Sequence, residues 1–153
     1  AGVRVKFFEG TGLVANGTLE VNGTEDAGVL FTSKSPTPLP SDWTNVQLYG
    51  ENNVISYLDY EWADDGFTGD GANNSTFDHL YIEGTLSLEA NGVVLSNSSG
   101  MTFTNNEITI AGSYGIYITN GKVNVTLPKD IDYTSLDLVT AIDSIKNKKS
   151  KKK

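Results

Sequence analysis

The chain predicts an all-β solenoid of about five coils, closed at its C-terminal end by an amphipathic helix. Three observations predict it. A Gly–apolar–x–apolar–x–Asn shape occurs twice, as Gly92-Val93-Val94-Leu95-Ser96-Asn97 and, 23 residues on, as Gly115-Ile116-Tyr117-Ile118-Thr119-Asn120. A shift of 26 lays Gly66 on Gly92, Thr76 on Thr102, Phe77 on Phe103 and Ile82 on Ile108. A further shift of 22 lays Val54, Ile55 and Tyr60 on Thr76, Phe77 and Ile82. Short strands broken by Asn, Gly and Ser at a long, nearly fixed period are the mark of a solenoid. One rung cannot bury its own apolar face, but stacked rungs cover one another.

On these rungs, roughly residues 3–127, the chain resembles the right-handed parallel β-helix shared by pectate-lyase-like proteins and many surface proteins. The resemblance implies a fold and leaves function open, because that scaffold hosts unrelated activities.

Taken in order, Val3-Arg4-Val5-Lys6-Phe7-Phe8 alternates as a strand, with the facing of Phe7 and Phe8 ambiguous. Two short strands then end in Asn16-Gly17 and Asn22-Gly23. Asn-Gly is the default hairpin turn, but in a solenoid it turns a coil corner, since both residues tolerate positive φ. Val29-Leu30-Phe31-Thr32-Ser33 is the next strand, followed by a loop over residues 34–42 that three prolines bar from sheet pairing. This order resembles the opening coils of β-helix domains on microbial surface proteins, and Trp43 reads as a core or loop anchor. Residues 45–51 with 54–62, then 66–84, form successive coils. The alternating piece at residues 85–91 makes one rung longer. Residues 1–127 are thus the β-helix. Residues 128–145 are the cap, with Leu138, Val139, Ile142 and Ile145 on one helix face and Thr134 or Ser135 at its N-cap. Residues 146–153 are a basic tail.

At 153 residues and 38% hydrophobic content the chain is one domain with room for a core. It has no cysteine, so neither disulfides nor thiolate metal sites are available to it. No apolar run is long enough for a transmembrane helix. All nineteen acidic residues lie at or before Asp143, while six of the eleven basic ones lie in the last eight positions. The acidic balance argues against nucleic acid as the main partner. The chain opens on Ala1, consistent with a removed signal peptide or a larger parent, and an extracellular or cell-surface setting is expected. Six glycosylation sequons stand at Asn16, Asn22, Asn73, Asn74, Asn97 and Asn124, although a chain rich in Asn, Ser and Thr also makes such triplets by chance.

The densest acidic stretch, residues 59–71, holds the candidates for chemistry. Asp64, Asp65 and Asp70 beside glycines are the residue types that converge on Ca²⁺, though their spacing matches no EF-hand loop. They are also the only catalytic candidates, since paired carboxylates serve glycoside hydrolysis. The Ser/Gly-His-Gly and Arg-x-Lys motifs of β-helix enzymes are missing, and enzymatic activity is not the expectation. Tyr60 and Trp62, with Asp64 and Asp65, form a candidate glycan-binding flank. The reading that follows is an extracellular structural or adhesive module that associates with itself, into a filament if the contact does not close. The alternative is a carbohydrate-binding or polysaccharide-processing domain using the acidic, aromatic flank.

Overall fold

The computed structural model describes residues 2–85, 90–110, 114–119 and 124–127, with the backbone alone for 84, 85, 110, 114 and 124–127. The expected helix at 135–145, the basic tail and the extra piece at 86–89 lie outside the described residues. The strands are β1 (Val3–Phe7), β2 (Leu13–Ala15), β3 (Glu20–Asn22), β4 (Val29–Ser33), β5 (Val46–Leu48), β6 (Val54–Glu61) and β7 (Phe67–Asp70). They continue with β8 (Thr76–Thr85), β9 (Asn91–Ser96), β10 (Thr102–Thr104), β11 (Glu107–Ile110), β12 (Tyr114–Thr119) and β13 (Asn124–Leu127).

These strands wind into a parallel β-solenoid of about four turns. One sheet runs β1-β4-β6-β8-β10, with β3 on β6 and β11 on β8; the other runs β13-β12-β9-β7-β5-β2. Every pairing is parallel except β12 with β13. That exception accounts for the lower coil number. Only residues 120–123 separate β12 from β13, whereas a coil takes more than twenty, so β13 folds back on β12 instead of opening a fifth turn.

Register follows the offsets in the sequence. Val54, Ile55 and Tyr60 pair with Thr76, Phe77 and Ile82. Thr102, Phe103 and Ile108 continue those columns. Phe67 pairs with Val93, and Val93 with Ile116. The inward residues of each column are the core: Ile55, Phe77 and Ile82 are fully buried, as are Tyr60, Phe67, Val93 and Leu95. Phe77 stacks on Phe103 with centroids 5.0 Å apart and planes 4° from parallel. Phe103 and Ile118 are half-buried, less enclosed than the alternation alone predicts.

Corners, rather than strands, carry the unusual backbone. Asn52 (φ 57°), Asn74 (φ 54°) and Gly100 (φ 69°) form one left-handed column, and Gly71 (φ 72°) and Asn97 (φ 48°) another. A third interrupts the first sheet: Tyr57 (φ 48°) inside β6, His79 (φ 52°) inside β8 and Asn105 (φ 53°) between β10 and β11. These residues bend the sheet into two faces, so each coil has three sides. The face holding β1, β4, the latter halves of β6 and β8, and β11 matters below. Asn16-Gly17 and Asn22-Gly23 make no hairpin, and none of the four takes the left-handed φ expected of them. β2 and β3 do not pair with each other, and Gly23 N donates to Ser56 O of the next coil at 3.0 Å.

Buried amide and hydroxyl side chains at the corners bond from coil to coil. Asn106 accepts from Leu80 N at 2.8 Å and donates to Phe77 O at 2.9 Å, clamping the backbone on both sides of His79. Asn53 donates to Gly50 O and Ser75 Oγ and accepts from Leu19 N. Ala72 N donates to Ser98 Oγ. Trp43 is fully buried, stacked on Phe7 at 4.1 Å, with Nε1 donating to Glu61 O. It anchors the proline loop to the core. Phe7 points in and Phe8 out, which resolves their ambiguity.

Gly66, Gly92 and Gly115 stack where β7, β9 and β12 of the second sheet begin. A Cβ on Gly66 would lie 1.9 Å from Gly92 O, and one on Gly92 would lie 2.4 Å from Gly115 O. Neither neighbour can move without parting two coils. Gly66→Ala is therefore expected to cost about 1–3 kcal/mol or more. Gly17→Ala, with no atom within 4 Å of the new Cβ, should stay near the parent in the same thermal unfolding experiment. Phe77→Ala should cost about 3–5 kcal/mol, and Phe103→Ala less, because its ring is only half enclosed.

Candidate functional site

The acidic stretch does not converge. Asp64 and Asp65 stand at the corner before β7, and Asp70 ends it. β7 stands between Asp65 and Asp70, and its extended backbone alone spans about 10 Å. Each carboxylate has its own partner. Asp64 accepts from Ser41 Oγ at 2.9 Å, Asp65 from Asn91 N at 2.8 Å, and Asp70 from Asn97 Nδ2 at 2.7 Å. Among the described residues no three His, Cys, Asp or Glu side chains are grouped to hold a metal ion. These carboxylates tie coil to coil.

Tyr60 corrects the expected glycan flank. It is fully buried, and its hydroxyl donates to the backbone oxygens of Asp65 and Gly66, each at 2.9 Å. Burial drives its pKa well above the ordinary tyrosine value. The period-two alternation of β6 that puts Asp59 and Glu61 outward puts Tyr60 inward. Trp62 is half-buried at a left-handed corner (φ 66°). The aromatic residues therefore do not gather on one flank: Tyr60 and Phe67 are core, and Tyr81 lies on another face.

Of the sequons, Asn16, Asn22, Asn74 and Asn97 are exposed and Asn73 is half-buried, while Asn124 lies in β13. Asn73 holds two coils together, accepting from Ser99 N and donating to Glu51. His79 stacks on Tyr57 at 4.2 Å, and its Nδ1 lies 3.0 Å from Asp78 Oδ2. Burial acts to raise the Asp78 carboxyl, but hydrogen bonds from Thr104, Asn105 and His79 outweigh it and hold the pKa below its usual value.

What the sequence reading missed is a charge pattern on the β1–β4–β6–β8–β11 face. Outward residues there stack as Arg4, Leu30, Asp59, Tyr81 and Glu107 in one column. Beside it, Lys6 stacks on Thr32, and Glu61 on Glu83. Thr32 Oγ1 donates to Glu61 at 3.1 Å. The first coil is basic here and the later coils acidic. The offsets of 22 and 26 reach Asp59, Tyr81 and Glu107, but the step of 29 from Leu30 to Asp59, lengthened by the proline loop, kept Arg4 out of the column. Tyr81 registers it: its hydroxyl donates to Glu83 at 2.8 Å. That bond first, then burial and the charges of Glu83, Glu107 and Asp59, push its pKa up to about 12.

The first coil is also where apolar surface collects. Val3 and Phe8 are each 61% exposed and Val14 is 53% exposed. Lys34 Nζ lies 4.0 Å over the Phe8 ring, beside a cleft of about 380 Å³ lined also by Glu9, Ser33, Ser35 and Asp42. Among the described residues β1 pairs only with β4, β2 only with β5 and β3 only with β6. The end is an open set of strand edges.

Fold and surface together define a parallel β-solenoid module whose first coil, among the described residues, is basic, partly apolar and paired on one side only. Residues 102–153, about a third of the chain, match the family model described as topoisomerase C-terminal repeat. Comparison with curated proteins returns no match, and comparison with solved structures returns none.

The tyrosine gives a test of the acidic face. Because its pKa is raised on folding, the stability it contributes is present below about pH 10 and lost as pH rises to about 12. The fall in stability between about pH 10 and 12 should thus be shallower in Tyr81→Phe, which lacks that contribution at every pH, and absorbance titration of Glu83→Gln should show the phenol ionising earlier.

Proposed function

We propose that this chain is an exported structural or adhesive surface module that associates with its own kind through the open first coil. Among solenoids, the kinship we propose is with the pectate-lyase-like β-helix domains of surface proteins, on the rung pattern of residues 3–127. The observation that carries the reading is the gathering of Val3, Phe8 and Val14, three of the five most exposed large apolar side chains among the described residues, on one coil. Unpaired strand edges beside exposed apolar side chains favour addition of further strands. The exposed sequons accord with export. The carbohydrate reading loses its support at the acidic flank, where Tyr60 is buried and the carboxylates are dispersed.

A second reading has one observation in its favour. The segment matching the topoisomerase repeat contains six lysines in its last eight positions, a composition suited to phosphate contact. Retardation of a DNA duplex by the full chain, lost on deleting residues 146–153, would carry that reading.

Sedimentation velocity over a wide concentration range tests the first. The full chain should sediment as larger particles as concentration rises. Replacing Phe8 and Val14 together by serine should weaken association by roughly tenfold or more. A monomer at every concentration overturns the proposal.

A further inference from the structure

We infer that copies of this chain join head to tail on one face of the solenoid, with β1 of one copy laid in parallel on β11 of the next so that Arg4 meets Glu107. The inference rests on the self-association proposed above and names its contact.

Three observations point to a second copy as the occupant of the β1 edge. The first is register. Arg4, Leu30, Asp59, Tyr81 and Glu107 already stand in one outward column, and a further parallel strand at the same spacing places the next copy's Arg4 over Glu107. The inward column continues likewise. Val5, Phe31, Tyr60, Ile82 and Ile108 stack in order, so the next copy's half-buried Val5 would lie on Ile108. Both edges are free to do this among the described residues, since β1 pairs only with β4 and β11 only with β8. β13 lies over β12, on a different face from β11, so the join is made along the β1–β11 edge and the next copy's β2 meets β13 rather than β12.

The second observation is charge. Arg4, Lys6 and Lys34 are all the lysine and arginine among the described residues, and all three lie on the first coil or in the loop beside it. The far end of the same face carries Glu83 and Glu107, with Asp59 and Glu61 behind them. For a join between solenoid ends, a face that is basic at one end and acidic at the other favours head to tail over head to head, which would set like charges together.

The third observation excludes the two-fold alternative. An antiparallel β1–β1 pair about a two-fold axis would set Arg4 and Lys6 against the same two cations of its mate. Like charges directly opposite across strands destabilise pairing. Exposed basic residues on an edge strand are a usual guard against such self-pairing. Here they leave the edge open to an acidic strand, and this chain carries one at its other end.

A charge swap tests the contact in the full chain by sedimentation velocity at low salt. Arg4 and Glu107 are both exposed, so R4E and E107R should fold as the parent does, which circular dichroism checks. Each single variant should weaken association by roughly tenfold, because it sets like charges across the join. The double variant R4E/E107R should recover most of the loss. Single variants that associate like the parent, or a double variant no better than the singles, overturn this contact while leaving self-association standing. A parent chain that never associates overturns both.

Discussion

Every feature of this molecule answers to one spacing. Parallel strands in adjacent coils lie about 4.8 Å apart, and the chain must keep that distance at the corners as well as along the strands. Strands do so through their ladders. Corners need residues that tolerate a left-handed backbone, side chains that bond the next coil, or no side chain at all. The columns Asn52–Asn74–Gly100 and Gly71–Asn97 supply the first. Asn53, Ser75, Ser98 and Asn106 supply the second. The glycines at 66 and 92 supply the third, because a methyl group there would meet the neighbouring coil's carbonyl oxygen. A buried amide left unbonded at such a corner would cost about 1–3 kcal/mol, which explains why polar residues recur inside an otherwise apolar tube.

The same constraint governs what the acidic residues do. Three aspartates close in sequence look like a site, yet an extended strand parts two of them and a corner bond occupies each. Asp65 holds Asn91 and Asp70 holds Asn97, residues 26 and 27 positions later. Their carboxylates are inter-coil fasteners. Charge that is not used this way lies on the outward columns, where the solenoid turns a scattered sequence pattern into a line. Arg4 and Glu107 are remote in the chain and terminal members of one column.

Much of the fold was legible because register in a solenoid repeats: offsets of 22, 26 and 23 read from Gly, Phe and Ile positions are the offsets of the strand pairs. Trp43 was legible as an anchor because a proline loop leaves little else for it to do. The coil number was not, because Val125 and Leu127 alternate like any rung, and only the short connection after β12 shows that they fold back. Tyr60 was misread through attention to its acidic neighbours rather than to its alternation with Asp59 and Glu61. The left-handed corner at Tyr57 was hidden too, since tyrosine does not advertise positive φ and only its column with His79 and Asn105, residue types enriched there, discloses it.

A solenoid with an open coil edge is a structure waiting for another strand, and the central claim is that a further copy supplies it. Amide hydrogen exchange measured at low and at high protein concentration reads that edge directly. The account predicts that amides of β1 gain protection as concentration rises, while those of β6 and β8, already paired on both sides, exchange alike in the two samples. Equal exchange of β1 at both concentrations, in a chain shown by sedimentation to have associated, would contradict it.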